Sequence, residues 1–193
     1  MPQPIRPHRP YPITVKLRGD RAATIRVMAP ADASKILNFA AQLPADDLLF
    51  LRTDITSPQV VRAWIEAIAE GHTITLIAEI DGEVAGYASI HLDQAKWTRR
   101  VGEIRVNSLA RYRGLGLGRR LTSEVFDLAQ SIGLKKITAQ MTPDQAAARA
   151  AFERLGFQVE AVLTDWVEDR DGHPRDMMIM THDVDGFSDQ LTA

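Results

Sequence analysis

The sequence predicts an α/β fold built on one mixed, mostly antiparallel central sheet, and three observations carry that prediction. Segments with apolar residues at every second position succeed segments with apolar residues at helical spacing along the whole chain. Asp81-Gly82 separates two apolar runs, 73–80 and 84–92, and an Asp-Gly pair in that position is a strong hairpin signal. From residue 103 to residue 141 a strand, a glycine-rich turn, an amphipathic helix and a second strand follow in order, which is long enough for a right-handed crossover between parallel strands.

Residues 1–12 carry Pro2, Pro4, Pro7, Pro10 and Pro12 and are expected to form an extended arm outside a single domain at 13–184. Residues 13–17 and 23–28 read as strands around the turn Arg18-Gly19-Asp20. Pro30 and Asp32 open a helix to about Leu43 with Ile36, Leu37, Ala40 and Leu43 on one face, Asp32 serving as N-cap. Leu48, Leu49, Phe50 and Leu51 form an apolar cluster in the connection. Ser57 and Pro58 start a second helix, in which Val60, Val61, Trp64, Ile65 and Ile68 recur at helical spacing up to Gly71.

After the hairpin, the polar loop 94–100 leads into a strand at 101–108. There Ile104, Val106 and Ser108 alternate with Glu103, Arg105 and Asn107. The next helix starts near Gly118, carries Leu117, Leu121, Val125, Leu128 and Ile132 along one face and stops at Gly133. A strand at 136–141 follows, then an alanine-rich helix opened by Pro143 and Asp144 and closed at Leu155-Gly156. Strands at 158–167 and 177–183 bracket an acidic loop, and 185–193 is a polar tail. No fixed-period repeat is present, which argues against a solenoid or propeller.

Composition narrows the function classes. With 193 residues and 45% hydrophobic side chains the chain suits one core-forming domain. A net charge of −2 from 23 basic and 25 acidic residues gives no global drive toward nucleic acid or a membrane surface. The absence of cysteine removes thiolate catalysis and thiolate metal sites and fits a reducing, cytoplasmic location. No apolar run approaches the about 20 residues of a membrane span, and the proline-rich opening lacks a signal-peptide core.

The informative stretch is the turn Arg113-Gly114-Leu115-Gly116-Leu117-Gly118-Arg119 between strand and helix. Glycines at alternate positions allow positive φ and close approach of a ligand to backbone amides, and the following helix start adds unpaired N–H groups and the positive end of its dipole. The combination makes an anion site, most naturally for phosphate. A dinucleotide fingerprint would need G-x-G-x-x-G, but Arg119 stands where its third glycine belongs. A P-loop would need a Lys-Ser or Lys-Thr pair, which the turn lacks.

The R-x-x-G-x-G pattern at 113–118, with Glu103 upstream, resembles the GNAT superfamily of acetyl-CoA-dependent N-acetyltransferases. Ala151-Phe152-Glu153-Arg154-Leu155-Gly156-Phe157 is similar to that family's A/L-Y-E-K-L-G-F helix ending. More weakly, the segment LRGDRAATIRV and the closing hairpin resemble bacterial protein-lysine acetyltransferases.

The resemblance implies a GNAT-like mixed sheet with helices on both faces, acetyl-CoA as cosubstrate and no metal. It implies that Arg113, Gly114, Leu115, Gly116, Leu117, Gly118 and Arg119 hold the coenzyme's pyrophosphate, and that Val106, Asn107 and Ser108 bond the pantetheine and acetyl carbonyl through their backbones. Gln145 stands where an asparagine commonly contacts the coenzyme, and Phe152 where many members have a tyrosine that protonates the departing thiolate. The acceptor would be an amine, on a small molecule or a protein lysine, and the chain a monomer or homodimer.

An amine with a reference pKa of about 10.4 must lose a proton before it attacks a thioester. Glu103 is the candidate base, with His91 and Asp93 as rivals and an ion pair with Arg105 as its structural alternative. Because Phe152 has no proton to give, a non-catalytic acetyl-CoA sensor or scaffold of the same fold stands as the alternative function. Acceptor-facing loops are expected at 48–56, 94–100 and 168–175, with Trp97 as an aromatic that touches substrate. Trp64 and Trp166 are expected in the core, and Met177, Met178 and Met180 as strand packing. His8, His72, His173 and His182 show no metal spacing, and the acidic loop reads as a solvated hairpin.

Overall fold

A computed structural model describes residues 9–49, 51, 53–93, 95–169 and 171–184. The expectations for residues 1–8, including His8, for Phe50, Arg52, Gln94 and Arg170, and for the tail 185–193 lie outside the described residues. The elements are β1 Ile13–Lys16, β2 Ala22–Val27, α1 Ala33–Ala40, α2 Ala45–Leu49, α3 Pro58–Ala69, β3 Thr73–Ile80, β4 Glu83–Leu92, β5 Val101–Ser108, α4 Leu117–Ser131, β6 Lys136–Met141, α5 Ala146–Glu153, β7 Gln158–Glu168 and β8 Pro174–Asp183. The strands form one sheet in the order β1-β2-β3-β4-β5-β6-β8-β7, and of its pairings only β5 with β6 is parallel.

Side-chain alternation along β4 assigns the helices to the two faces. Tyr87 packs edge-on against Phe39 of α1 at 5.7 Å and Trp64 of α3 at 5.1 Å. Gly86 points the other way, where a Cβ would lie 3.3 Å from Leu121 of α4. Covered on both faces, β3 is buried at every position but Glu79, its Thr73 and Thr75 included. α4 closes its face with Leu117, Leu121, Val125 and Leu128, all buried, each worth about 1.5–3 kcal/mol on removal from water. The described end of the proline-rich arm lies against this helix. Tyr11 donates its hydroxyl to the buried Glu124 at 2.9 Å, and Arg9 and Arg120 pair with the same carboxylate.

One feature of the topology makes room for a site. β4 and β5 are paired in antiparallel register from Gly86↔Ser108 to Leu92↔Gly102. The parallel register of β5 with β6 covers only Val101↔Lys136, Gly102↔Ile137 and Glu103↔Thr138. β6 continues against β8 through Ala139↔Met180 to Met141↔Met178. The two neighbours therefore diverge beyond Glu103, and the edge of β5 at 104–108 faces a gap.

The structure corrects several expectations. Asp32 makes no side-chain cap to α1. It is buried and engaged by Arg26 at 2.7 Å and by the Ala29 N–H at 2.8 Å, because the ion pair outcompetes the local capping geometry. α1 ends at Ala40, and part of the apolar connection is the short helix α2. Trp166 is 64% exposed rather than in the core. β7 is the outermost strand, its register breaks between Leu163 and Val167, and Asp165 adopts φ 52 within that irregularity, which turns Trp166 outward. Trp64 is half-buried against the core and donates its Nε1–H to Thr75 at 3.0 Å.

Candidate active site

The chain leaves β5 through a Leu109 N–H bond to Ala85 O at 2.9 Å and a 3-10 turn at Ala110–Tyr112, then enters the glycine turn. Gly114 and Gly116 adopt φ 80 and φ 87, values that favour glycine, and α4 begins at Leu117. Two ties hold the loop. The Arg18 N–H donates to Leu115 O at 3.0 Å, and the Arg113 guanidinium pairs with Asp47 of α2. Arg113 thus anchors the turn with its side chain, while Arg119 is exposed. α4 has no side-chain cap and no acidic residue in its first turn. Helix geometry leaves the N–H groups of Leu117, Gly118 and Arg119 without an intrahelical acceptor. A Cβ built on Gly114, Gly116 or Gly118 meets nothing within 4 Å, so the space over these amides is open. Unpaired donors, the dipole's positive end and open space fit an anionic phosphate group.

The gap beside β5 leads to this turn. In an antiparallel ladder alternate residues direct N–H and C=O to opposite sides. Since the Leu109 N–H reaches Ala85, odd-numbered residues of β5 face β4 and even-numbered ones face β6. Val106 and Ser108 therefore direct backbone groups into the gap. The backbone of Asn107 faces Tyr87 instead, and its side chain accepts the Ser108 N–H at 2.8 Å. Glycine is required opposite this stretch, because a Cβ on Gly86 would sit 2.7 Å from Asn107 O.

On the α1–α3 face beside the gap lies a row of polar groups. Glu103 and Arg105 are both half-buried, and the Arg105 Nε–H donates to Glu103 Oε1 at 2.8 Å. Across β4, in register with Glu103, His91 lies with Nδ1 3.1 Å from Thr73 Oγ1 and Nε2 2.9 Å from Ser89 Oγ. Asp93 accepts the Ala95 N–H at 2.9 Å and the Thr98 hydroxyl at 2.8 Å, so it shapes the loop after β4. Tyr87, beneath this row, has its phenol pushed up to about 12 by burial, opposed by the positive charge of Arg105. Trp97 is 90% exposed in the adjoining loop.

α5 follows the end of β6. Gln145 Oε1 accepts the Thr142 N–H at 3.2 Å, and the Gln145 N–H donates to Thr142 O at 3.1 Å, so the side chain braces the end of β6. Phe152 packs edge-on against Phe157 at 4.9 Å. Thr122, Ser123 and Phe126 of α4 face Leu155, Phe157 and His182 across a mostly apolar cavity of about 170 Å³. Sequence reasoning missed this cavity, the Asp47 anchor and the Thr73–His91–Ser89 cluster, all assembled from distant segments. In the β7–β8 loop Asp169, Asp171 and His173 bring ligand atoms within 4.8 Å. Asp169 there accepts the N–H groups of Asp171 and His173 and pairs with Arg175.

The sequence pattern of the acetyltransferase (GNAT) family matches residues 39–157, more than half of the chain. The chain belongs to the GNAT acetyltransferase family. It is an acyl-CoA N-acetyltransferase. Among solved structures, yncA of Salmonella typhimurium, assigned as an acetyltransferase and determined with its cofactor acetyl-CoA, is 27% identical, with a TM-score of 0.74 over 85% of this chain and 95% of that one. A GNAT-family acetyltransferase of Streptococcus pneumoniae superposes with a TM-score of 0.74 at 24% identity, over 83% of this chain and 99% of that one. The GNAT domain of S. lividans PAT shares the fold at 16% identity, with a TM-score of 0.73 over 89% of this chain and 96% of that one. The GNAT fold with helices on both faces of a mixed sheet is thus as expected, and acetyl transfer from acetyl-CoA follows from membership. Among the described residues no helix is long and apolar enough to cross a membrane.

Proposed function

We propose that this GNAT chain transfers the acetyl group of acetyl-CoA to a primary amine by direct attack at the open edge of β5. The observation that carries the reading is the meeting of two open features: the gap beside 104–108 ends at the uncapped start of α4. The residues fit the coenzyme. The amides of Gly116, Leu117, Gly118 and Arg119 hold the pyrophosphate, with Gly114 and Leu115 shaping the loop and Arg113 anchoring it to Asp47. Val106 offers its backbone groups to the pantetheine arm and Ser108 its carbonyl, the Ser108 N–H being taken by Asn107. Asn107 contributes by holding Ser108, and Gln145 and Phe152 form the opposite wall. Bound there, acetyl-CoA supplies an activated acyl group.

The chain's own groups do the rest. Glu103, directly or through a water it orients, takes the proton from the incoming ammonium, leaving the nitrogen lone pair free to attack. The Val106 N–H, directed into the gap, donates to the carbonyl oxygen as negative charge develops on it. The nitrogen–carbon bond forms and the carbon–sulfur bond breaks. A thiol with a reference pKa of about 8.5 departs as a thiolate, the acylated nitrogen sheds its second proton to solvent to leave a neutral amide, and solvent protonates the thiolate because Phe152 has no proton to give.

Calorimetric titration with acetyl-CoA and thiol release over a panel of amines test this. Binding with turnover supports the reading, and absence of binding overturns it. Binding without turnover across the panel supports the alternative of a sensor or scaffold, which Phe152 favours. Glu103→Gln is expected to lower kcat about 100-fold and to flatten its pH profile.

A further inference from the structure

We propose that the acceptor is an amine that carries its own carboxylate, in the manner of a free α-amino acid, and that Arg105 selects it. The inference rests on the acetyl-transfer reading and names the acceptor class for that site.

Arg105 lies on β5 just beyond the last residue paired to β6, on the face that also carries Glu103, Ser89 and His91. Its side chain is 21% exposed, and its Nε–H is taken by Glu103 at 2.8 Å. Among the described residues nothing accepts a hydrogen bond from its Nη1 or Nη2 groups. Arg26, the comparable strand arginine on β2, directs Nη1, Nη2 and Nε to the carboxylates of Asp32 and Glu79. A half-buried guanidinium with its terminal fork unused is matched by a planar anion, and a carboxylate satisfies both nitrogens at once.

The pair has a second property. Glu103 and Arg105 present opposite charges side by side at the mouth of the gap. A zwitterionic amino acid presents an ammonium and a carboxylate with the complementary arrangement. Docked carboxylate to Arg105, it places its amine toward Glu103, the group assigned to take its proton. A protein lysine side chain has no carboxylate near its amine and leaves the fork of Arg105 unmatched.

The test compares acceptors that differ only in that carboxylate: methionine with methioninamide, phenylalanine with phenylalaninamide, and Nα-acetyl-lysinamide as the lysine mimic, with acetyl-CoA and thiol detection. The free acids are expected to exceed their amides at least tenfold in kcat/KM, through KM. In Arg105→Gln that ratio falls to about one, and in Arg105→Lys, a point charge without a fork, it takes an intermediate value. The ratio cancels any effect on Glu103, which both acceptors share. Amides or the lysine mimic matching or exceeding the acids overturns the proposal, as does an unchanged ratio in Arg105→Gln. A chain that binds acetyl-CoA but acetylates none of these acceptors overturns the catalytic reading separately. The acceptor class is then decided by calorimetric titration of the CoA complex with methionine and methioninamide: binding of the acid alone, lost in Arg105→Gln, supports it, and equal or absent binding overturns it.

Discussion

The starts of α1 and α4 are the same backbone feature put to opposite uses. Before α1, a 3-10 turn at Pro30–Asp32 brings the Asp32 carboxylate onto the Ala29 N–H and the fork of Arg26. Arg26 also holds Glu79 through Nε and Nη2 at 2.9 Å, and Lys35 reaches Glu79 at 2.6 Å. Every charge there has a partner inside the protein. Neither helix has a side-chain cap, but at α4 the N-cap position is held by Gly116 where α1 has the carboxylate of Asp32, and glycines keep the space above the amides clear. The first arrangement fastens a helix to the sheet, and the second leaves open space over its first amides.

Mutations that move one end and not the other sharpen the contrast. The largest effect is expected from Arg26→Ala, which strands the buried Asp32 beside Glu79: about 3 kcal/mol of stability is lost by urea unfolding, with acetyl-CoA affinity unchanged. Loss of affinity in that variant would show that the two ends are coupled. Gly116→Val, at φ 87, carries backbone strain of about 2 kcal/mol or displaces the loop, and weakens acetyl-CoA binding on the order of 30-fold by calorimetry.

Arg26 holds the carboxyls of Asp32 and Glu79 below their ordinary range, chiefly through its hydrogen bonds. Groups whose pKa is depressed by folding contribute stability above the unfolded pKa and lose it as pH falls through the folded one. The urea midpoint is therefore expected to hold from neutral pH down to the ordinary carboxylate range and to fall below it, less steeply in Arg26→Ala. The smallest effect is expected from Asp47→Asn. The partly exposed pair with Arg113 is worth about 0.5 kcal/mol, and acetyl-CoA affinity changes by no more than about threefold.

Elements whose signals are local were legible in the chain. β3 and β6 occupy the residues their patterns mark, because Gly71, the Asp81-Gly82 turn and Gly133 bound them and burial sets their composition. The glycine turn was legible for the same reason, being contiguous. Asp32 was misread because capping rules see only neighbours, while Glu79, which shares Arg26 with it, lies 53 residues from that arginine. Trp166 was misread because an alternating strand looks the same at an edge as inside a sheet, and β7 becomes an edge only when β8 inserts beside β6. The assignment of Asn107 as a backbone contact was refined because the side to which a residue's amide points depends on which strand pairs with it.

By itself, the sequence determined the element order, the glycine turn between strand and helix, and the family, since each rests on residues near one another in the chain. Only the tertiary structure decided that β5 and β6 part after Glu103 and that, among the described residues, the terminal fork of Arg105 has no acceptor while that of Arg26 has two carboxylates and α4 has no side-chain cap. Those outcomes depend on which distant groups arrive at each strand and helix end, and that is settled by packing across the sheet.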